Sequence, residues 1–157
     1  MSSGRLRFRH SFQDFHTSPD IPDVGGEFDP DEFIATLKKA RVDSVTLCAR
    51  CHHGHLYYDS KVHPELIHPQ LARPNFLLEQ IEACQKNDIR VTIYTTVEFD
   101  FFMTEEHPEW LAVNADGSPH SLKIAEDGEG GHRHTTASPY DAGFYRWLCL
   151  NSPTSSF

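Results

Sequence analysis

Short apolar runs alternate with amphipathic segments along the first part of the chain. The runs Leu6–Phe12, Val45–Cys48 and Ile89–Ile93 have the length of strands and are rich in β-branched or aromatic residues. Two segments with apolar residues at helical spacing separate these runs. The order therefore predicts β-α-β-α-β, and helical crossovers between successive strands predict parallel pairing. The predicted fold class is α/β.

Both predicted helices carry start or stop signals. Asp29 suits an N-cap, Pro30 suits the first helical position and Glu32 completes a capping box. The second helix follows Pro74 and stops at residues 87–88. The apolar faces comprise Phe33, Ile34, Leu37 and Ala40 in the first helix and Leu77, Leu78, Ile81 and Cys84 in the second.

The two helix–strand units repeat. Ile34 and Val45 recur as Leu78 and Ile89, 44 positions further along the chain. The second and third strands also carry apolar residues on both faces, which is typical of parallel strands covered on both sides. The repeat therefore supports a parallel sheet with helical crossovers.

Composition and charge narrow the classes of function. The chain has 157 residues, a one-domain length, and a net charge of −9 from 23 acidic and 14 basic residues. This balance argues against binding to nucleic acid or to an anionic membrane surface. No stretch approaches the roughly 20 apolar residues of a membrane helix, and residues 1–5 lack the apolar core of a signal peptide. The expected location is the cytoplasm, where the four cysteines stay reduced.

Polar side chains follow each of the three predicted strands. Residues 13–16 follow the first strand, residues 50–55 the second and residues 94–98 the third. Parallel α/β folds place their chemistry where the carboxyl ends of strands converge. We therefore expect these polar residues to form one shared pocket.

The residue types in these clusters favour a carbohydrate. Sugar hydroxyls need paired donors and acceptors, and the apolar sugar face stacks on aromatic rings. The substrate-binding candidates are Asp14, His16, His52, His53, Tyr57, Glu98 and Trp110. The alternative for any one histidine is a structural role in tying down loop backbone. No catalytic residue is assigned.

Metal chemistry is a second hypothesis. His53 and His55 at a strand end could bind a metal ion, with Asp14, His16 and Glu98 to complete the site. Such a site would suit a metal-dependent hydrolase that generates hydroxide near neutral pH. Cys48 and Cys51 have the spacing of half a zinc site, but no second pair of this kind follows. The same cysteines match a haem-attachment pattern, which requires export, and the pleat of a strand would point them to opposite faces. No cofactor or structural metal is therefore predicted.

The C-terminal part of the chain has weaker signals. Residues 107–110 predict a turn or short helix, residues 115–118 predict a turn, and the glycine-rich segment 126–134 predicts a flexible loop. Asn151–Pro153 has the pattern of a helix start, yet the sequence stops at Phe157. This pattern predicts a truncated domain.

Three motifs resemble a known family. Asp14–Ser18, Cys51–Gly54 and His107–Trp110 resemble the N-terminal part of the hypothetical glycosyl hydrolase 6 family, and the resemblance runs from about Phe8 to Ser152. Many members of that family carry a β-galactosidase-type trimerisation domain further along. The resemblance thus implies a carbohydrate substrate and a homo-oligomer for the full-length protein.

A fainter resemblance links the chain to α-L-fucosidases. Their Lys-His-His-Asp-Gly stretch is similar to Arg50–Gly54, although here a Cys is inserted and the Asp is missing. The likeness implies that His52 and His53 contact substrate hydroxyls and that His16 lines the same pocket. The fucosidase nucleophile lies on the fourth strand, beyond the three strands predicted here.

These resemblances imply an incomplete (β/α)₈ TIM barrel of about three βα units. A complete barrel needs roughly 200 residues or more. We therefore expect residues 1–157 to be the N-terminal portion of a single catalytic domain, inactive alone because the catalytic carboxylate pair lies elsewhere. A metal-dependent hydrolase and a non-catalytic module for sugar binding or assembly remain the alternatives.

Overall fold

The structure is a computed structural model that describes residues 7–96, 100–118, 121–122 and 134–135. Two of its 3₁₀ turns span Pro64–Leu66 and Pro108–Trp110. The helices and strands, in chain order, are β1 (His10–Phe12), α1 (Pro30–Lys39), β2 (Ser44–Arg50), α2 (Phe76–Lys86), β3 (Arg90–Thr95), α3 (Phe101–Glu106), β4 (Ser121–Leu122) and β5 (His134–Thr135). In the described ranges, no helix has both the length and the apolar character needed to span a bilayer.

The main sheet is parallel with the order β1-β2-β3, which confirms the predicted α/β class. Ser11 pairs with Val45, and Val45 pairs with Val91. In the sequence repeat the residue equivalent to Val45 is Ile89, so β3 is displaced by two residues relative to β2. A stagger between neighbouring strands is what a sheet needs in order to curve into a barrel.

The predicted helix signals are confirmed at the level of single hydrogen bonds. The Asp29 carboxylate accepts from the backbone N–H groups of Asp31 and Glu32, at 2.8 and 2.9 Å. α1 ends at Lys39, and Arg41 then adopts a left-handed conformation with φ of 56°. Asp88 does the same after α2, with φ of 53°. Each left-handed residue turns the chain from a helix into the next strand.

The main core lies between the sheet and the two long helices. Its fully buried centre comprises Val45, Leu47 and Cys84, none of which is measurably exposed. Two helix positions differ from the prediction. Leu78 is 39% exposed, and Ala40 is exposed because it lies beyond the last helical residue as the C-cap. The remaining predicted face residues are buried or partly buried.

The strand bounds and the burial of β3 also differ from the sequence prediction. β1 is three residues long rather than seven, and β2 continues to Arg50, two residues further than its apolar run. The prediction that β3 is covered on both faces was wrong, because Thr92 and Ile93 are exposed. β3 is an edge strand among the described residues, so only β2 flanks it there, and Thr92 contacts Thr46 of that strand through their hydroxyl groups at 2.6 Å.

Predicted features of the C-terminal part are only partly described. The short helix at 107–110 is confirmed as the 3₁₀ turn Pro108–Trp110. The turn at 115–118 is confirmed by a hydrogen bond from the Gly117 N–H to the Asn114 carbonyl, at 2.9 Å. The predicted loop 126–134, apart from its last residue in β5, and the predicted helix start at 151–153 lie outside the described residues.

Truncation of Val45 tests the core directly. Val45 is fully buried, whereas Val62 is 63% exposed. We expect Val45→Ala to lower the free energy of unfolding by about 2–3 kcal/mol, because two methyl groups leave a closely packed site. Val62→Ala is the matched control and should change it by less than about 0.5 kcal/mol. Urea denaturation measures both, and equal effects of the two substitutions would contradict the assigned core.

Candidate functional site at the carboxyl ends of the strands

A tight turn after β2 presents two adjacent histidines. The Gly54 N–H donates to the Cys51 carbonyl at 2.9 Å, which makes His52 and His53 the two central residues of a β-turn. The chain then runs back along β2, where Leu56 bridges to Arg50. This reversal places both histidine rings at the carboxyl end of the sheet.

The histidines that follow β1 and β2 lie against one another, as the sequence predicts for strand ends. The His16 and His52 rings stack with centroids 4.3 Å apart and planes 23° apart. The His52 and His53 rings are tilted by 47° at 4.2 Å. Tyr94, at the end of β3, meets His16 edge-on at 5.5 Å. All three strands thus contribute a ring to one cluster, which we call the histidine stack (His16, His52, His53 and Tyr94).

Asp14 supports the histidine stack from the segment after β1. Its Oδ1 lies 3.1 Å from Nε2 of His16. The other ring nitrogen of His16, Nδ1, accepts from the backbone N–H of His52 at 3.2 Å. His16 therefore connects a carboxylate on one side to the turn after β2 on the other.

Two of the remaining sequence candidates, Tyr57 and Trp110, make other contacts. Tyr57 is fully buried, and its hydroxyl accepts from the Thr17 N–H at 3.0 Å. Trp110 is buried and its ring stacks on that of His107 at 3.7 Å. Glu98 lies outside the described residues. Asp14, His16, His52 and His53 are thus the candidates that come together.

A buried ion pair beneath the turn was missed by the sequence analysis. Arg50 Nη2 lies 2.7 Å from Asp100 Oδ2, and both side chains are almost fully buried. Asp100 also N-caps α3 by accepting from the Met103 N–H at 3.1 Å, while Arg50 Nε donates to the Gly54 carbonyl at 3.1 Å. Burial raises the pKa of Asp100 to about 6, and Arg50 opposes that rise. An aspartate directly before an apolar helical run was the signal available in the sequence.

The two histidines of the proposed metal motif make separate contacts. His53 lies in the histidine stack, whereas the His55 ring packs against His68 at 5.1 Å. Among the residues described, no three His, Cys, Asp or Glu side chains converge as metal ligands would. His68 itself has a structural role, because its Nε2 donates to the Ser18 carbonyl and its Nδ1 accepts from the Gln70 N–H. The metal hypothesis therefore has no ligand set in this part of the chain.

The cysteine pair also differs from the prediction. Cys48 and Cys51 lie in one apolar cluster with Tyr57 and Phe76, rather than on opposite faces. The pairing register is interrupted between Cys48 and Arg50, and this irregularity breaks the strict alternation of the strand. Burial raises the pKa of Cys48 to about 12, so its thiol stays protonated at neutral pH.

A cavity of about 540 Å³ opens next to the histidine stack. Asp14 and Gln13 contribute polar groups to it, and Phe28 and Phe76 contribute aromatic surface. The rings of His16, His52 and His53 do not line this cavity; Asp14 is shared between the cavity and the stack.

Comparison with known proteins assigns the family. The sequence profile of the family described as hypothetical glycosyl hydrolase 6 matches residues 29–157. The chain belongs to the hypothetical glycosyl hydrolase 6 family. This confirms the family suggested by the motifs around His16, His52 and Trp110. No curated protein matches the sequence significantly.

The solved structures that resemble this family member include the following two. Alpha-L-fucosidase isoenzyme 2 from Paenibacillus thiaminolyticus is 34% identical with a TM-score of 0.68, over 82% of this chain and 19% of that protein. The chain thus spans about a fifth of the length of the fucosidase. A hypothetical protein from Ruminiclostridium thermocellum ATCC 27405 is 13% identical with a TM-score of 0.61, over 85% of this chain and 66% of that protein. The second similarity concerns the fold alone.

Gly54 provides a test of how the turn is held. Its φ is 90°, and an added Cβ would lie 2.6 Å from the Cβ of Phe102 and 2.9 Å from Oδ1 of Asp100. Gly117 has a similar φ of 81° but open space around it. We expect Gly117→Ala to cost about 1 kcal/mol for backbone strain, and Gly54→Ala to cost a further 1–3 kcal/mol, roughly, for overlap. Equal losses in urea denaturation would show that the contact with α3 does not constrain the turn.

The stability of the family member should depend on pH through His55. Burial, followed by the neighbouring His68, lowers the pKa of His55 to about 4. The unfolded chain takes up a proton near pH 6.5 that the folded chain excludes, so the contribution of His55 to stability is full above pH 6.5 and falls as pH drops towards 4. We expect His55→Gln to flatten this loss in urea denaturation at pH 7 and pH 4.5. His63→Gln, at the contact with Glu65, is the control and should retain the wild-type slope.

Proposed function

We propose that this chain is the N-terminal portion of a (β/α)₈-barrel glycoside hydrolase and forms part of the wall of its sugar-binding pocket. On this proposal residues 1–157 belong to one catalytic domain. The observation that carries it is the meeting of His16, His52 and His53 at the carboxyl end of a parallel sheet. In barrel enzymes this end of the strands holds the active site.

The arrangement of the strands supports the barrel. All three strands of the main sheet are parallel. Val45 pairs with Val91 rather than with Ile89, its equivalent in the sequence repeat, so β3 is staggered by two residues relative to β2. The long helices pack together on one side of the sheet, as the outer helices of a barrel do. The 34% identity with a fucosidase of far greater length agrees with a portion of a larger domain.

The chemistry of the histidine stack supports a sugar as the ligand. Neutral imidazoles offer one donor and one acceptor each, which matches the hydroxyl groups of a sugar. His52 and His53 are partly exposed at the turn, whereas Tyr57 and Trp110 are buried. We therefore assign direct contacts to His52 and His53 and a supporting place beneath the surface to Tyr57 and Trp110. Glu98 remains a predicted contact from the segment after β3.

Hydrolysis is not expected from this chain alone. Retaining glycosidases use two carboxyl groups about 5–5.5 Å apart, and inverting enzymes place them about 6.5–9.5 Å apart. Asp14 contacts the histidine stack, but its carboxylate is engaged by His16 at 3.1 Å. We assign the catalytic pair to other strands of the complete barrel, and we expect binding without turnover here.

Calorimetry with monosaccharides tests this function. L-Fucose is the first probe because of the fucosidase similarity, and D-galactose and D-glucose complete the panel. We expect weak but measurable binding of one sugar. We expect no release of the phenol from the aryl glycoside of that sugar. His53→Ala should weaken binding at least about tenfold, since one or two hydrogen bonds to the sugar are lost.

His63→Ala is the matched control for this experiment. His63 contacts Glu65 and is not a member of the histidine stack, so this variant should bind sugar like the wild type. Hydrolysis by the unmodified chain would contradict the assignment of the catalytic pair to other strands. Failure of every sugar in the panel to bind would contradict the sugar-binding wall.

A further inference from the structure

Both ring nitrogens of His16 are used in contacts within the chain. Nδ1 accepts from the His52 backbone N–H at 3.2 Å, so it carries no proton of its own. The proton of the neutral ring therefore sits on Nε2, which faces Asp14 Oδ1 at 3.1 Å. A ring protonated on both nitrogens would point an N–H at another N–H and break the contact with His52. The geometry thus selects one tautomer of a neutral imidazole.

The same ring determines where His52 lies. His16 holds the His52 backbone through Nδ1 and covers the face of the His52 ring at 4.3 Å. The His52 ring in turn lies 4.2 Å from that of His53. Tyr94 closes the other side of His16 with an edge contact. His16 is therefore enclosed by a carboxylate, a backbone amide and two rings, and only 19% of its side chain is exposed.

We propose that Asp14 and His16 are positioning residues that orient His52, one of the two histidines to which the proposed function assigns contacts with sugar hydroxyls. This inference rests on the proposed function and assigns a division of labour within that site. Asp14 holds the Nε2–H tautomer of His16, in which Nδ1 carries no proton and accepts from the His52 N–H. A sugar that took the Nε2–H of His16 would have to displace Asp14.

The tautomer of His16 is measured without any substitution. Long-range ¹H–¹⁵N correlation spectra of the whole chain at pH 7 distinguish a protonated from an unprotonated ring nitrogen. We expect an unprotonated Nδ1 and a protonated Nε2. A proton on Nδ1, or on both nitrogens, would overturn the proposal.

Two substitutions at His16 separate positioning from direct contact with the sugar. The side-chain oxygen of His16→Asn occupies nearly the place of Nδ1 and still accepts from the His52 N–H, whereas His16→Ala cannot. Amide exchange of His52 should be about tenfold faster in His16→Ala, the effect of one lost hydrogen bond, and close to wild type in His16→Asn. Sugar affinity should follow the same order. If His16→Asn protects the amide yet binds sugar as poorly as His16→Ala, His16 contacts the sugar itself and the positioning role is wrong.

Asp14 has its own pair of variants. Asp14→Asn still offers an oxygen to the His16 Nε2–H and should keep the tautomer. Asp14→Leu removes that acceptor and should lower the fraction of His16 rings with an unprotonated Nδ1. An unchanged His16 spectrum in Asp14→Leu would remove Asp14 from the scheme. Wild-type spectra as expected but without binding of any sugar would refute the proposed function and leave the contacts around His16 intact, so the two failures are distinguishable.

Discussion

The buried contact between Arg50 and Asp100 constrains the whole carboxyl end of the sheet. At 2.7 Å and with almost no exposure, the two charges give up hydration that costs several kcal/mol for each ion. Their mutual attraction offsets this cost, and removing either partner would leave an uncompensated buried charge. The pair therefore adds little to the net free energy of unfolding, and its main effect is to fix the relative position of two segments. It holds the end of β2 against the start of α3.

Two loops depend on this pair because each partner also makes a backbone contact. Arg50 Nε binds the Gly54 carbonyl, and Asp100 caps α3. Gly54 fits between them since even one added carbon would overlap Phe102. Two contacts thus constrain the turn that carries His52 and His53: the hydrogen bond from Arg50 to the Gly54 carbonyl and the close packing of Gly54 against Phe102. A rigid turn suits a binding wall, because ordering a loop upon binding reduces affinity.

The sequence predicted those features that depend on neighbours along the chain. The N-cap at Asp29 and the parallel order of the strands follow from signals along the chain, and the structure confirms them. The failures came from contacts between distant segments. The exposed Ile93 depends on what lies beside β3, and the Arg50–Asp100 pair depends on how tightly two loops approach. The sequence pattern placed the histidines at the carboxyl ends of the strands. Only the three-dimensional structure shows that Nδ1 of His16 contacts the His52 N–H and that Nε2 contacts Asp14.

The histidines of this region fall into two groups with different surroundings. Outside the histidine stack, burial lowers the pKa of His55 and of His68, which favours their uncharged forms. In the histidine stack, Nδ1 of His16 accepts from the His52 backbone N–H, a contact that a ring protonated on both nitrogens could not make. Uncharged imidazoles suit a neutral sugar because they pair with hydroxyl groups without leaving a charge to be desolvated. The Asp14 carboxylate and the net charge of −9 both favour positive charge at this site, whereas the His52 N–H can be accepted only by an unprotonated Nδ1 of His16.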